Sequence, residues 1–272
     1  MSKTEPNVIA RLAETREEIE AAQRLRYQVF YEEQSAVPSP EMAAEKRDFD
    51  KYDDFADHLI VIDQNAPEKG IVGTYRLIRS HVAKNNGGFY SSSEFNLDNL
   101  TAHSSATLEL GRSCVLPEYR TRHILQLLWQ GIAGYIFDNN IEIMFGCASL
   151  PGTDIEALKM QLSYLHHYHS SENDYAPRAV DGRYIDMNLV PKDEIDVKAV
   201  FKTLPPLFKG YLRVGAIIGN GAVIDEQFGT TDVCIVVETH TLAKRYMKHY
   251  ERKTQKRFTP AEQSAMQESG AV

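Results

Sequence analysis

The chain has 272 residues, of which 43% are hydrophobic, and its formal net charge is -8. This length suits one large domain or a domain with an extension, and the acidic balance argues against general nucleic-acid binding. No apolar run reaches the roughly 18 residues that a membrane-spanning helix needs, and the first residues lack the apolar core of a secretory signal. Three scattered cysteines form no CxxC pair and no even-numbered framework, which favours a reducing compartment. Composition therefore predicts a cytoplasmic protein.

The N-terminal region predicts one helix among three strands. Thr15 and Glu18 have the spacing of a capping box, so a helix begins after Thr15 and runs to about Glu33. Residues 34–52 contain two prolines and an acidic run that break the helical pattern, and the length of this predicted loop makes it a candidate lid. The predicted strands are residues 8–12, 58–63 and 71–80, of which the last two form an antiparallel hairpin.

The rest of the chain predicts further strands and helices. Residues 106–115 form a predicted strand, and the strongly apolar residues 141–148 are typical of a central strand. Strands around a few helices indicate a mixed α/β fold with one main sheet. The other predicted segments are helices at 119–139 and 154–167, strands at 184–189 and 231–238, and a segment at 211–218 that follows a boundary at Pro205 and Pro206.

Residues 242–257 are predicted as a basic helix at the end of the domain. Eight of these residues are Lys, Arg or His, with Glu251 as the single opposing charge. Such a block is typical of a solvated helix face, and the alternative is a landing surface for an acidic partner or an anionic membrane. The segment from Thr259 onward is predicted as a frayed tail.

Two arginines fall on faces that should be buried. Arg26 shares a helical stripe with apolar residues such as Val29 and Phe30. A buried guanidinium requires a carboxylate or a bound anion, and the alternative is an arginine that snorkels to the edge of the stripe. Arg76 lies by period-two alternation on an otherwise apolar or neutral strand face. Glu109 is the predicted counter-charge for one or both arginines.

Glu109 and Arg112 occur three residues apart in the predicted strand at 106–115. In a regular strand, side chains at this spacing point to opposite faces. A β-bulge at Gly111 would bring both to one face, since glycine tolerates the conformations that bulges use. Without a bulge, one of the two charges is structural.

Several motifs carry a resemblance to known acyltransferases. Four charged motifs occur in the order found in the acyl-homoserine lactone synthases, which are built on the GNAT fold: Arg26 with Phe30, Asp48-Phe-Asp50 with Asp53, Gly73-Thr-Tyr-Arg76, and Glu109-Leu-Gly-Arg112. Longer phrases are more similar to the bacterial ornithine lipid N-acyltransferases, sometimes labelled hemolysin-like proteins: Glu109 to Arg120, Leu128-Trp-Gln-Gly131, Leu204 to Arg213, and Phe228 to Val233. The resemblance covers most of the chain, from about Arg24 to Glu238.

This resemblance implies a fold and a reaction. The fold is a GNAT-like core at residues 1–190, completed by residues 191–258 and followed by a tail at 259–272. The reaction is transfer of a 3-hydroxy fatty acyl group from acyl carrier protein to the α-amine of ornithine, which gives lyso-ornithine lipid. The phosphopantetheine arm of the donor is expected between the strands at 106–115 and 141–148. The enzyme is expected in the cytoplasm, with or without peripheral contact with the anionic inner membrane.

The expected donor site departs from the GNAT pattern in one respect. Residues 120–125, at the start of the following helix, contain no glycine, whereas GNAT enzymes that use coenzyme A usually carry a glycine-rich pyrophosphate loop there. A carrier-protein donor presents a single phosphodiester, which Arg120 and Arg122 could hold by charge-assisted hydrogen bonds. His123 completes the predicted phosphate-binding residues. No cofactor is expected to be permanently bound.

Residue roles follow from the resemblance and from the chemistry. Glu109 is the predicted general base, with Arg112 as its catalytic partner. We expect no metal, because the adjacent histidines at 166, 167 and 169 diverge at a helix end. The predicted substrate-binding residues are Arg26, Phe30, Asp50, Asp53, Arg76 and Asp232, with an acidic-loop residue receiving the ornithine side-chain ammonium. The alternatives are an acyl-homoserine lactone synthase, an N-acyltransferase for glycine or another amine, and a non-catalytic acyl-carrier-protein-binding protein.

Overall fold

A computed structural model describes residues 7–170 and 175–240. Its strands are β1 Val8–Leu12, β2 Asp57–Asp63, β3 Ile71–Arg79, β4 Phe95–Asn96, β5 Thr107–Val115, β6 Ile143–Pro151, β7 Arg178–Ala179, β8 Ile217–Asp225 and β9 Thr230–Glu238. Its helices are α1 Arg16–Tyr27, α2 Pro40–Glu45, α3 Ser80–Asn85, α4 Asp98–His103, α5 Arg122–Asp138, α6 Ile155–His169, α7 Val197–Thr203 and α8 Pro206–Arg213.

The described strands form one sheet in the order β1-β2-β3-β5-β6-β9-β8-β7-β4. Most neighbours are antiparallel, whereas β5–β6 and β7–β8 are parallel, so the predicted mixed α/β fold is confirmed. A large apolar cluster joins the sheet to the longer helices and includes Leu59, Ile132, Met144 and Leu162. A smaller cluster around Phe95 and Phe145 lies under the segment that connects α3 to β5.

The parallel pair β5–β6 opens part of the way along its length. Pairing is limited to Thr107–Glu109 opposite Ile143–Phe145, although β5 continues to Val115 and β6 to Pro151. Immediately beyond this point Gly146 lies so close to Leu110 that a Cβ atom would be 2.2 Å from the Leu110 carbonyl oxygen. Only glycine permits this approach. Ladder pairing between β5 and β6 therefore ends at Glu109, with one further close approach at Gly146, while the other edge of β6 pairs with β9 along its whole length.

The predicted bulge is present in β5, but its strained residue differs from the prediction. Arg76 pairs with Gly111 and Thr74 pairs with Cys114, so β5 carries one more residue than β3 between these pairs. The left-handed conformation falls on Arg112, with φ of 51°, and not on Gly111. A non-glycine residue in this region costs about 1–3 kcal/mol, which the surroundings of Arg112 must offset.

Local signals located the three longest described helices, α1, α5 and α6, with some errors at their boundaries. The Thr15 hydroxyl accepts a hydrogen bond from the Glu18 amide at 3.3 Å, and α1 continues as a π-helical segment over Gln28–Glu33, the predicted end. The helix predicted from residue 119 begins instead at Arg122. Pro117–Tyr119 form a 3-10 turn, and the side chain of Thr121 caps α5 by accepting from the Ile124 amide.

Two segments differ from their predictions. Residues 184–189 are not a strand: Ile185 makes a single bridge to Ala222, and Met187 is buried against the core from a loop. Residues 211–218 are divided between the end of α8 and the start of β8 by Gly215, whose φ is +87°. The predicted basic helix at 242–257 and the tail at 259–272 lie outside the described residues.

Candidate active site

Three arginines and three aspartates form a largely buried ionic network beside the bulge in β5. We call Arg26, Arg76, Arg112, Asp48, Asp50 and Asp53 the charge network. Arg26 comes from the last turn of α1, Arg76 from β3 and Arg112 from the bulge. The aspartates come from the segment that follows α2. There Asp50 and Asp53 cap a 3-10 turn, with Asp50 accepting from the Tyr52 amide and Asp53 from the Asp50 amide.

Arg26 is fully buried and meets Asp53 through a two-pronged pair. Its two terminal nitrogens donate to the two oxygens of Asp53 at 2.8 and 2.7 Å, and one of them also donates to the Asp48 carbonyl. Arg26 Nε lies 2.7 Å from Asp48 Oδ2 as an ion-pair contact. The bidentate geometry makes this a strong charge-assisted pair. The prediction that Arg26 needs a carboxylate is confirmed, and the snorkelling alternative is wrong.

Arg76 and Arg112 share Asp50 as a counter-ion. Arg76 donates to Asp50 at 2.6 Å and to Asp53 at 3.3 Å, while Arg112 donates to Asp48 at 3.1 Å and to Asp50 at 3.2 Å. The guanidinium of Arg112 also lies 4.5 Å from the Tyr90 ring centroid and 5.0 Å from that of Phe228. These contacts hold the left-handed residue of the bulge in place.

The network keeps its aspartates ionised despite burial. Burial opposes the charge on Asp53, but attraction and hydrogen bonding from Arg26, together with attraction from Arg76, hold the pKa of this carboxyl well below its usual range. Burial likewise opposes the charge on Asp48, and Arg112 and Arg26 lower its pKa. His58 is also buried, and burial lowers its pKa to about 4, so it is neutral at pH 7.

Phe30 lies beside the network and packs edge-on against Phe228, with ring centroids 5.6 Å apart. The rings of Phe228 and Tyr90 cover the guanidinium of Arg112, and Phe30 supports Phe228 from behind. The structure therefore brings together Arg26, Phe30, Asp50, Asp53, Arg76 and Arg112, as the resemblance implies.

Glu109 lies next to the network without a direct ion pair to it in the described residues. Its carboxylate accepts hydrogen bonds from the Tyr90 amide at 2.9 Å, from the Ser91 amide at 2.7 Å and from the Ser91 hydroxyl at 2.5 Å. Burial raises the pKa of Glu109, whereas the Ser91 and Tyr90 hydrogen bonds and the attraction of Arg76 lower it less. The prediction that Glu109 directly compensates Arg26 or Arg76 is wrong, because the nearby aspartates take that role.

A second polar cluster continues from Glu109 across β6 to β9. The thiol of Cys147 lies 3.3 Å from the Ser91 hydroxyl and 3.2 Å from Glu94 Oε2. The ligand atoms of Glu94, Cys147 and Asp232 all lie within 4.8 Å of one another. Glu94 also pairs with Arg183 at 3.3 Å. The predicted substrate residue Asp232 thus belongs to this second cluster and not to the charge network.

The second cluster borders an open cleft of about 570 Å³. Glu94 belongs both to the second cluster and to the wall of the cleft. The walls of the cleft come from the segment after Tyr90, the loop around Arg183 and the turn between β8 and β9. Its charged lining residues are Glu94, Asp225, Glu226 and Arg183, so acidic side chains predominate.

Asp232 should make folding stability depend on pH. Burial, followed by repulsion from Glu94, raises its pKa from 3.8 to about 7. Between these values the folded state binds more protons than the unfolded state, so this group lowers stability as pH rises. Asp232→Asn should therefore stabilise the protein at pH 8 by up to about 4 kcal/mol and have little effect near pH 4. Thermal unfolding of both proteins across this range measures the difference.

Glu226→Gln is the matched control for this measurement, because it removes an exposed carboxylate from the edge of the same cleft. We expect its stability difference from the wild type to be the same at both pH values. An Asp232→Asn variant with an equally constant difference would contradict the raised pKa.

The predicted donor residues lie apart from both clusters. Arg120 forms a two-pronged pair with Glu33 at 2.5 and 2.6 Å and donates to the Val115 carbonyl at 3.0 Å. Arg122 and His123 are exposed at the start of α5. Arg120 is therefore already engaged with a protein carboxylate, whereas Arg122 and His123 face solvent.

Burial keeps the thiols of Cys114 and Cys147 protonated, and the histidines at the end of α6 have separate partners. Burial raises the pKa of the Cys114 thiol to about 12 and that of the Cys147 thiol well above its usual value. His167 contacts the Val190 carbonyl and His169 the Tyr164 hydroxyl, so these rings have separate protein partners. The absence of a metal stays a prediction, with the Glu94, Cys147 and Asp232 donors as the described group closest in geometry to a metal site.

Similarity to known proteins decides the family. Residues 25–130 match the acetyltransferase (GNAT) domain. The chain is 46% identical over 249 residues to the L-ornithine N(alpha)-acyltransferase of Rhizobium meliloti strain 1021, covering 90% of this chain and 84% of the relative. It is 40% identical over 251 residues to that of Rhodobacter capsulatus, covering 91% and 96%. The chain belongs to the L-ornithine N(alpha)-acyltransferase family.

Family membership makes the protein an N-acyltransferase with a GNAT fold. It supports the resemblance to the ornithine branch over that to the acyl-homoserine lactone synthases, and an enzyme over a non-catalytic binder. The relative from Brucella abortus strain 2308, named L-ornithine N(alpha)-acyltransferase, is 46% identical over 245 residues. This match covers 88% of this chain and 87% of the relative. In the described part of the chain, no helix combines the length and apolar character needed to cross a bilayer.

Solved structures of related architecture are more distant. The acyl-homoserine lactone synthase LasI has a TM-score of 0.46 at 12% identity, with coverage of 86% of this chain and 90% of that chain. FeeM, an N-acyl amino acid synthase from uncultured soil microbes, has a TM-score of 0.46 at 12% identity, with 86% and 91% coverage.

Several residues of the site were missed by sequence reasoning. Tyr90, Ser91 and Glu94 lie in a polar segment that has no helical or strand periodicity, and Arg183 lies in a segment predicted to lead into a strand. The only sequence signal for Tyr90, Ser91 and Glu94 is a serine-rich turn between Phe89 and Phe95. The segment at 34–52, predicted as a loop and candidate lid, contains the helix α2. The aspartates that follow α2 are held by ion pairs of the charge network.

Proposed function

We propose that the protein transfers a 3-hydroxy fatty acyl group from acyl carrier protein to the α-amine of L-ornithine and releases lyso-ornithine lipid. The observation that carries this proposal is the 40–46% identity to enzymes named L-ornithine N(alpha)-acyltransferase over about nine tenths of the chain. We place the reaction in the cytoplasm, with peripheral contact with the inner membrane through the basic segment as an open alternative.

In the proposed reaction, Glu109 acts as the general base. An α-amine has a pKa near 8, so its ammonium form must lose one proton before attack. A carboxylate whose pKa is raised by burial is better matched to this proton than an ordinary glutamate. Glu109 takes the proton directly or through a water molecule, and Ser91 and Tyr90 hold its carboxylate in place.

The remaining steps need an oxyanion site and a route for the leaving group. The amine nitrogen attacks the thioester carbonyl, and backbone amides beyond the bulge in β5 stabilise the oxyanion that forms. The carbon–sulfur bond then breaks and the amide forms. The second proton lost by the attacking nitrogen passes to solvent, and the proton held by Glu109 neutralises the departing thiolate. No covalent intermediate on the enzyme is required, in keeping with the raised pKa of Cys114 and Cys147.

The separation of β5 from β6 supports the proposed position of the donor. Its phosphopantetheine arm would lie where pairing ends after Glu109, which brings the thioester beside the proposed base. Arg122 and His123 at the start of α5 are exposed and free to meet the phosphodiester. Arg120 would join them only by exchanging its pair with Glu33. The lack of glycine in residues 120–125 favours a carrier protein over coenzyme A.

The charge network would shape this site from the other side. Its arginines are neutralised by its aspartates, which makes the network a rigid wall more than a free anion site. Arg112 is its most accessible arginine, with 10% of its side chain exposed, and is the one placed to approach the substrate carboxylate.

The test of this proposal is a reaction panel analysed by mass spectrometry. The purified protein is incubated with 3-hydroxyacyl carrier protein or the matching acyl coenzyme A, each with ornithine, lysine, glycine or homoserine. We expect N-acylornithine as the main product, formed faster from the carrier protein. Acylation of glycine alone would overturn the proposed acceptor, and a preference for acyl coenzyme A would overturn the proposed donor.

A further inference from the structure

The cluster of Glu94, Cys147 and Asp232 carries more buried negative charge than its surroundings neutralise. Glu94 is 3% exposed and Asp232 is 5% exposed. Arg183 pairs with Glu94 through one nitrogen at 3.3 Å and with the Ile224 carbonyl at 2.8 Å. Asp232 accepts a hydrogen bond from the Thr230 hydroxyl at 2.8 Å. Of these two neighbouring carboxylates, only Glu94 has a guanidinium partner among the described residues, and such a pair favours a bound cation.

The acidic loop does not offer an equivalent cation site. Asp48, Asp50 and Asp53 each pair with at least one arginine of the charge network, which balances three carboxylates against three guanidinium groups. A cationic side chain placed there would have to displace an arginine. The expectation that an acidic-loop residue receives the substrate ammonium is therefore not supported, and the surplus of negative charge lies instead at Glu94 and Asp232.

The position of the cluster relative to Glu109 fits a diamino acid. Contacts of 2.5, 3.3 and 3.2 Å link Glu109 to Ser91, Ser91 to Cys147 and Cys147 to Glu94, so the Glu109 and Glu94 carboxylates are at most about 9 Å apart. Two amino groups separated by four carbon atoms lie about 6 Å apart in an extended chain. Such a chain with a hydrogen bond of about 2.9 Å at each end reaches at most about 12 Å, so it can join the two carboxylates when its hydrogen bonds lie at an angle to the chain.

The cluster also has an entry route and enough hydrogen-bond acceptors for an ammonium group. Glu94 lies on the wall of the open cleft of about 570 Å³, so a ligand in the cleft can reach it without crossing the charge network. An ammonium group has three donors, and the two carboxylates offer several acceptor positions around one point. Cys147 acts here as a neutral thiol that contacts Glu94 and Ser91.

We propose that Glu94 and Asp232 form the subsite that binds the side-chain ammonium of a diamino acid acceptor and so determine acceptor specificity. This inference rests on the proposed function, which supplies the acceptor amine at Glu109. Ornithine and norvaline share the same carbon chain and differ in the side-chain amine alone. The subsite should therefore discriminate between them, because norvaline leaves two buried carboxylates without a cation.

The test compares kcat/KM for ornithine and norvaline in the wild type, in Glu94→Gln and in Asp232→Asn, with the same acyl carrier protein donor. We expect the wild type to prefer ornithine by on the order of 100-fold or more. Each variant should lower kcat/KM for ornithine by roughly 10- to 100-fold, mainly through a higher KM. The same variants should change kcat/KM for norvaline by less than about threefold. Glu156→Gln is the control, because it makes the same change at an exposed glutamate of α6 that pairs with Lys159 and does not line the cleft.

The outcomes separate this inference from the proposed function. A wild-type enzyme that acylates no ornithine would refute the proposed function before any variant is measured. The subsite alone would be overturned if the wild type acylates ornithine but the variants keep its preference for ornithine over norvaline. An equal loss of kcat/KM for both substrates would overturn it as well. Metal analysis of the purified wild type is the second readout: a stoichiometric divalent ion that is lost in Glu94→Gln and Asp232→Asn would assign the cluster to a metal and overturn the ammonium subsite.

Discussion

Glu109→Gln is expected to lower the turnover number of acyl transfer by about 10²- to 10⁴-fold while leaving the KM for the acyl donor nearly unchanged. Glutamine keeps the shape of the side chain and one carbonyl oxygen that accepts from Ser91. It cannot take a proton from the acceptor amine, so the loss should appear in the chemical step. Single-turnover measurements with saturating donor and ornithine separate this step from binding.

The pH profile gives an independent readout of the same substitution. Burial raises the pKa of Glu109, so wild-type kcat/KM should decrease as pH falls through a value above that of an ordinary glutamate, because the base becomes protonated. The Gln variant should lose this limb and keep only the decrease below about pH 8 that protonation of the acceptor amine causes. Glu118→Gln is the control, since it makes the same change at an exposed glutamate that pairs with Lys69 beyond the end of β5. Unchanged turnover in Glu109→Gln would remove this residue from the mechanism.

Arg26→Met is expected to destabilise the protein by about 3–5 kcal/mol. The methionine fills part of the space of the side chain but leaves Asp53 without its two-pronged partner and Asp48 without its closest cation. Uncompensated buried carboxylates are costly because the interior solvates them poorly. Chemical denaturation of the wild type and the variant at pH 7 measures the change in free energy of unfolding.

A double variant distinguishes lost ion pairing from lost packing. Adding Asp53→Asn to Arg26→Met removes one unpaired charge, so it should recover part of the lost stability and show a coupling energy between the two sites. Arg16→Met is the exposed control on the same helix, where a surface pair with Glu20 contributes at most about 1 kcal/mol. A loss below about 1 kcal/mol in Arg26→Met would show that the network does not stabilise the fold as described.

The charge network and the second cluster divide the site into two regions with different electrostatics. In the network each carboxylate has a cationic partner, and the pKa values of Asp48 and Asp53 are lowered. In the second cluster Glu94 and Asp232 are buried close together, and their pKa values are raised. Glu109 lies between them and is linked to the second cluster through Ser91 and Cys147. A rigid neutral wall on one side and an acidic recess on the other suit an acceptor with two amino groups.

The sequence by itself determined the elements whose signals are local. The Thr15 cap, the runs of strand-forming residues in β2 and β3 and the apolar run of β6 depend on neighbours within one helical turn or one strand, so they can be recognised without the fold. The place of Arg26 on an apolar stripe was predictable for the same reason, but the choice between burial against a carboxylate and snorkelling was not. The need for a bulge between Glu109 and Arg112 followed from strand geometry.

The tertiary structure alone decided which charges meet. Arg26 and Asp53 are 27 residues apart and Arg112 and Asp48 are 64 apart, and no local pattern distinguishes these partners from Glu109. The second cluster joins Glu94 from an irregular segment to Asp232 on a distant strand, through the pairing of β6 with β9. Electrostatic energies depend on distance and burial, which chain folding sets, so the sequence could name the charged residues but not their partners.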